Sequence, residues 1–162
     1  MRFTFSADIK QINPNAVLPK RATDGSAAYD IFLPAGLPKT IVLSPMEKVT
    51  FSLGFALWIR NPEWCMVMMP RSGTGKRGLQ LANVLGLIDS DYQGEVQLVL
   101  RNASDTDWLT IDTELAVAQA IFLPVGTPQF TLVSEFEAET ARGAGGFGST
   151  DVHSVVNTFN DS

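Results

Sequence analysis

The chain has 162 residues, a length that fits one domain with a real core and leaves little room for two. Hydrophobic residues make up 45% of it and charged residues 18%, which sets it apart from disordered chains. A net charge of −5 weighs against a non-specific nucleic-acid binder, whose affinity comes from basic surface, but allows a local basic site such as Arg71, Lys76 and Arg77 to meet a small polyanion.

Residues 2–9 alternate, with Phe3, Phe5, Ala7 and Ile9 on one side, and predict a first strand. This N-terminus lacks the apolar core of a signal peptide, and no run of about 18 apolar residues follows, so neither a membrane span nor a membrane partner is expected and the location should be cytoplasmic. Further short strands are predicted at 28–33, 40–43, 48–53, 55–60, 64–69, 79–81, 95–101, 108–111, 119–123 and 130–133, divided by Gly, Pro, Asn or Asp. That rhythm predicts an all-β sandwich or barrel. Residues 114–122 have some helical composition, but the window is short and Pro124 stops it, so a strand from about Gln119 is expected. Cys65 is the only cysteine; among Trp64, Met66 and Val67, and without a His or basic neighbour, it reads as a small buried hydrophobe. The domain should cover residues 1–139. A C-terminal arm over 140–162 should follow, glycine-rich from Thr140 to Thr150 and so able to wrap a ligand closely, with Val152, Val155, Val156 and Phe159 able to dock.

Three segments could carry chemistry. PRSGTGKRG (70–78) combines an arginine fork, a hydroxyl and three glycines, a composition for holding phosphate oxygens, although it lacks the Walker spacing and an ordinary Gly-rich turn has the same composition. NVLGLIDSDYQGEV (83–96) places two apolar arms around Asp89, Asp91 and Tyr92, as a hairpin presenting carboxylates would; solvated turn aspartates give the same pattern. RGAGGFGST (142–150) joins Arg142 and two hydroxyls to an aromatic, suiting it to clasp a nucleotide, though in isolation it equally fits a disordered tail. His153, the only histidine, leaves little basis for a His-dependent triad or zinc site.

Taken in order, AAYDI (27–31), PRSG (70–73), NVLGLIDSDYQGE (83–95), the run ending at Ala118-Gln119 and RGAGGFGST (142–150) resemble the five motifs of the trimeric all-β dUTPase family, over residues about 23 to 150. The resemblance implies a jelly-roll-like or distorted β-barrel subunit of the β-clip kind. It also implies a homotrimer with sites at the subunit interfaces and an arm of one subunit closing a site formed by others. The implied reaction is Mg²⁺-assisted hydrolysis of dUTP to dUMP and pyrophosphate, which limits uracil in DNA and supplies dUMP for dTMP synthesis. By the same resemblance Asp89 activates the water that attacks the α-phosphorus, Asn83, Leu87, Ile88 and Gln97 lie along the segment that reads uracil, and Tyr92 packs on the deoxyribose. Arg71, Ser72, Gly73 and Gln119 would hold the phosphates and Asp30 would act on the metal through water. Phe147 would stack on uracil beside Gly148, with Arg142, Ser149 and Thr150 on the γ-phosphate.

Three positions depart from the family pattern. Glu114-Leu115-Ala116-Val117-Ala118-Gln119 stands where Gly-x-Arg-x-Ala-Gln is usual, Ala28 replaces a glycine, and Asp151 follows the last motif in place of a glycine. The Ala116 change bears on a local ion pair or a subunit contact, because Gln119 is kept. Two other readings compete: a dCTP deaminase-like enzyme on the same fold, and a regulatory protein that uses the nucleotide as a signal to a protein partner. A bare structural scaffold would leave the Asp, Arg, Ser and Tyr of these loops unexplained. No direct nucleic-acid partner is expected.

Overall fold

The computed structural model describes residues 4–145, which are built almost wholly of antiparallel strands. In chain order these are β1 (Ala7–Gln11), β2 (Tyr29–Ile31), β3 (Thr40–Leu43), β4 (Lys48–Ile59), β5 (Trp64–Met69), β6 (Leu79–Leu81), β7 (Gly86–Ile88), β8 (Glu95–Asn102), β9 (Leu109–Asp112) and β10 (Ala118–Pro124), with one five-residue helix, α1 (Ser72–Lys76). Hydrogen bonding joins them into two four-stranded sheets, β1-β4-β8-β6 and β2-β10-β5-β7, and a two-stranded ribbon of β3 and β9. The all-β expectation holds.

Period-two alternation supplies the core. Along β8, Val96, Leu98, Leu100 and Asn102 are buried and the residues between them are not. Val96, Leu98 and Leu100 join Leu53, Phe55, Leu57 and Ile59 of β4, Met66 and Met68 of β5, and Ala118 and Ala120 of β10 in one apolar cluster. Asn102 is a polar residue inside this layer, and it is fully used: Nδ2 lies 2.7 Å from the Asp107 carbonyl, 3.0 Å from that of Ser44 and 3.3 Å from that of Leu43, while Oδ1 accepts the Ser104 N–H. Because truncation would strand these buried carbonyls, Asn102→Ala is expected to lower the free energy of unfolding by on the order of 3 kcal/mol, read from denaturant titration.

Several sequence expectations change. Residues 48–53 and 55–60 are not two strands but the single β4, because Gly54 adopts φ +78° at a bulge where the pairing with β8 shifts between Ser52 and Ala56. A Cβ on Gly54 would lie 2.9 Å from that of Ala16 and 3.0 Å from that of Asn13, so both conformation and space demand glycine. Among the described residues the first strand runs over Ala7–Gln11, without residues 4–6, as an edge strand exposed throughout; of its apolar set Phe3 lies outside the described residues and Phe5 is half-buried, stacked on Trp64 and edge-on to Phe122. Cys65 is half-buried, not buried, and free. Ser72–Lys76 is a short helix where a loop was expected.

Backbone contacts divide the chain into two compact units, Met1–Thr127 and Pro128–Ser162. The sheets belong to the first. Among the described residues of the second there is no strand, and the one expected over 130–133 is absent: Phe130 is 95% and Leu132 100% exposed, alternation without a neighbouring ladder to pair with. Its described order is a turn in which Gly143, at φ +54°, donates its N–H to the Thr140 carbonyl. No helix among the described residues is long and apolar enough to cross a membrane.

Candidate active site

A cleft of about 530 Å³ opens between β2, the start of α1 and β10, lined by Ser26, Ala28, Asp30, Arg71, Ser72, Gly73 and Gln119 among others. It brings together residues as far apart in sequence as Ser26 and Gln119, and pairing explains how. β10 lies between β2 and β5, with Gln119 opposite Asp30 on one side and opposite Met69 on the other. The Gln119 side chain then reaches past the end of β5 to donate to the Pro70 carbonyl at 3.0 Å.

Arg71 is the cleft's cation. Its Nε sits 2.9 Å from Asp30 Oδ1 and its Nη1 donates to the Ala116 carbonyl at 3.3 Å. The backbone of Arg71 is fixed as well: its N–H donates to the Thr74 hydroxyl at 3.0 Å, and that hydroxyl donates back to the Arg71 carbonyl at 2.9 Å. Thr74 is 4% exposed and escaped the sequence reading; its signal is a hydroxyl three residues after a loop arginine, as at a helix start. The first intrahelical bond runs from Gly75 N–H to the Arg71 carbonyl, so the Ser72 and Gly73 N–H groups stay outside the helical ladder. A Cβ on Gly73 would meet nothing within 4 Å, leaving the backbone there open to close approach by a ligand.

The second candidate segment is placed elsewhere in the subunit. Residues 83–96 do not form the expected hairpin. β7 pairs with β5, whereas β8 pairs with β4 and β6, so the stretch from Asp89 to Gly94 crosses from one sheet to the other. Two-arm patterning cannot distinguish these cases, since both arms are apolar either way. Ile88 lies opposite Met66, which brings Asp89 to the level of Cys65, while Arg71 follows the other end of β5. Four strand residues, about 13 Å at ~3.3 Å each, thus separate the level of Asp89 from that of Met69.

Within the crossing, Asp89 is exposed and its carbonyl accepts the Tyr92 N–H at 3.3 Å. Tyr92 donates its hydroxyl to the Glu95 carbonyl at 2.9 Å. A Cβ on Gly94 would come within 2.5 Å of Tyr92 Oη, so the ring lies on a bare glycine. Gly94 and Glu95 thus both touch the Tyr92 side chain, contacts that sequence reading passed over. Asn83 is exposed, next to Val84 at φ +66°, an unusual conformation for a β-branched residue; Leu87 is exposed, Ile88 half-buried, and Gln97 stands on the open face of β8 with its amide 3.5 Å from Ser52 Oγ. Arg142 is exposed in the second unit. Phe147, Gly148, Ser149 and Thr150 lie outside the described residues.

The dUTPase family model matches residues 14–151. The chain is 41% identical over 150 residues to the deoxyuridine 5'-triphosphate nucleotidohydrolase of Psychrobacter sp. (strain PRwf-1), covering 88% of this chain and 96% of that one. It is 43% identical over 138 residues to the enzyme of the same name from Neisseria meningitidis serogroup B, covering 85% and 89%. Among solved structures it resembles the Staphylococcus bacteriophage 80alpha dUTPase with dUPNHPP, with a TM-score of 0.78 and 26% identity over 91% of this chain and 99% of that one. The chain therefore belongs to the dUTPase family, hydrolases of deoxyuridine 5'-triphosphate.

Proposed function

We propose that the protein hydrolyses dUTP to dUMP and pyrophosphate in sites shared between subunits of a homotrimer, with Asp89 as the base that activates the attacking water. One observation carries the reading: Asp30, Arg71, Ser72, Gly73 and Gln119 meet in a single open cleft, a guanidinium with free backbone amides and one carboxylate, as a polyphosphate beside a cation requires. The separation of Asp89 from that cleft along β5 and β7 supports the shared site. A nucleotide whose phosphates rest in the cleft of one chain would meet Asp89 from a neighbour.

Among the described residues no three His, Cys, Asp or Glu side chains gather to hold a metal. Such a donor set fits a Mg²⁺ carried mainly by phosphate oxygens and water, with Asp30 as its protein contact through water. When bound, the ion would neutralise charge on the phosphate chain. The protein's own groups do the rest. Asp89 accepts a proton from the attacking water, Arg71 and the Ser72 and Gly73 amides hold phosphate oxygens, Asn83, Leu87, Ile88 and Gln97 flank the base, and Tyr92 faces the sugar. Arg142, Phe147, Gly148, Ser149 and Thr150 would close over the nucleotide and exclude bulk water.

Pyrophosphate release from dUTP, dCTP, dTTP and UTP with Mg²⁺ tests the reading, with release from dUTP alone expected; ammonia from dCTP would replace it with a deaminase. Truncation after Ala141 is expected to remove most turnover with the oligomer retained, read by the same assay beside size-exclusion chromatography. Full activity in the truncated chain would take the closing role away from residues 142–150.

A further inference from the structure

The bulge in β4 bears on Tyr92. At its first position β8 carries Glu95, opposite Ala56, while Gln97 pairs with Ser52, so β4 holds two extra residues between these pairs. Gly54 lies in that excess. Its φ of +78° turns its N–H out of the ladder with β8, and the amide donates instead to Glu95 Oε1 at 2.9 Å in a partly buried contact. Its carbonyl accepts the N–H groups of Ile12 at 2.8 Å and Asn13 at 2.9 Å. Both polar groups of the bulge are therefore held, which makes it a stiff anchor for the Glu95 side chain.

The backbone of the same residue meets the sugar-facing group. The Glu95 carbonyl accepts the Tyr92 hydroxyl, and the ring covers Gly94, where a Cβ would collide with it. The position of the phenol thus follows the position of residue 95, which is held by its pairing opposite Ala56 and, at the irregular end of that ladder, by its carboxylate on Gly54. We propose that Glu95 is a positioning residue for nucleotide selection: its carboxylate, seated on the Gly54 bulge, sets Tyr92 against the sugar and so sets the preference for a deoxyribonucleotide over a ribonucleotide. This rests on the reading of Tyr92 given above. A fraction of an ångström matters at this contact, because excluding a single hydroxyl depends on a close wall.

Reach and charge make opposite predictions here. Gln at position 95 loses the charge but keeps an acceptor oxygen at the same distance; Asp keeps the charge but is one methylene short of the Gly54 amide. The measurement is kcat/KM for dUTP and for UTP in Glu95→Gln, Glu95→Asp and Tyr92→Ala, each on the full-length protein. Glu95→Gln is expected to keep the dUTP to UTP ratio, and Glu95→Asp to lower it by about tenfold, as a loosened wall should. A ratio unchanged in Glu95→Asp but lowered in Tyr92→Ala would overturn the role of Glu95 and leave that of Tyr92 intact. A ratio unchanged in Tyr92→Ala would remove the reading of Tyr92 itself. Equal losses on both substrates in Glu95→Asp, with a lower Tm, would reduce the contact to a structural one and also overturn the proposal.

Discussion

Replacing Asp89 with Asn is expected to lower kcat on dUTP by a factor on the order of 10² or more, the usual contribution of a positioned general base. The two side chains are nearly isosteric, but the amide cannot take a proton from water. Asp89 is exposed at the start of the crossing between the sheets, and its contact with Tyr92 is through its backbone carbonyl, so the substitution should leave both the fold and the Tyr92 turn in place. Affinity for a non-hydrolysable dUTP analogue, measured by calorimetry, should accordingly stay close to that of the unaltered protein. The fall should therefore appear in kcat and in kcat/KM alike, the mark of an interaction made in the transition state. Asp91, also exposed in the same stretch, provides the control: Asp91→Asn should turn over nearly as fast as the parent. Unchanged turnover in Asp89→Asn, or a larger loss in Asp91→Asn, would move the base elsewhere.

The sequence made local features of this chain legible and left distant ones hidden. Strands 40–43, 64–69 and 79–81 could be read from their apolar runs and flanking turn residues, and they stand at those bounds. What failed was decided by partners. Gly54 looked like a break between two strands because glycine usually punctuates, whereas the contacts of Asn13 and Ala16 make it the bulge of one long strand. The arms around Asp89 looked like a hairpin because both are apolar; only the ladders with β5 and β4 show that they belong to different sheets. Residues 130–133 alternate as a strand should and pair with none among the described residues. At the site, residue types were readable, since an arginine, a serine and glycines in one short run have few uses together. Their meeting with Asp30 and Gln119 was not readable, because it depends on β10 lying between β2 and β5.

Arg71 should be the other position of large effect. Among the described residues lining the cleft it is the one cation; it pairs with Asp30 and donates to the Ala116 carbonyl, and in the proposed reading its remaining donors serve the phosphates. Position 116, where the family pattern has an arginine, here has a buried alanine whose backbone carbonyl is an acceptor for Arg71, so this chain brings no second guanidinium from that motif. Removing Arg71 would leave a lone carboxylate facing the phosphates. Arg71→Ala is therefore expected to cut kcat/KM for dUTP by about 10² to 10³, the scale of losing one preorganised donor to developing charge. Arg71→Lys should recover only part of the loss, since an ammonium is a point charge and cannot serve Asp30, the Ala116 carbonyl and a phosphate in three fixed directions. Without Mg²⁺, where Asp30 has no metal to serve, adding Asp30→Asn to Arg71→Ala should then restore some phosphate affinity by removing the lone carboxylate, measured as analogue Kd. If Arg71→Lys matched the parent in kcat/KM, the fork geometry would be irrelevant and simple charge would account for the cleft.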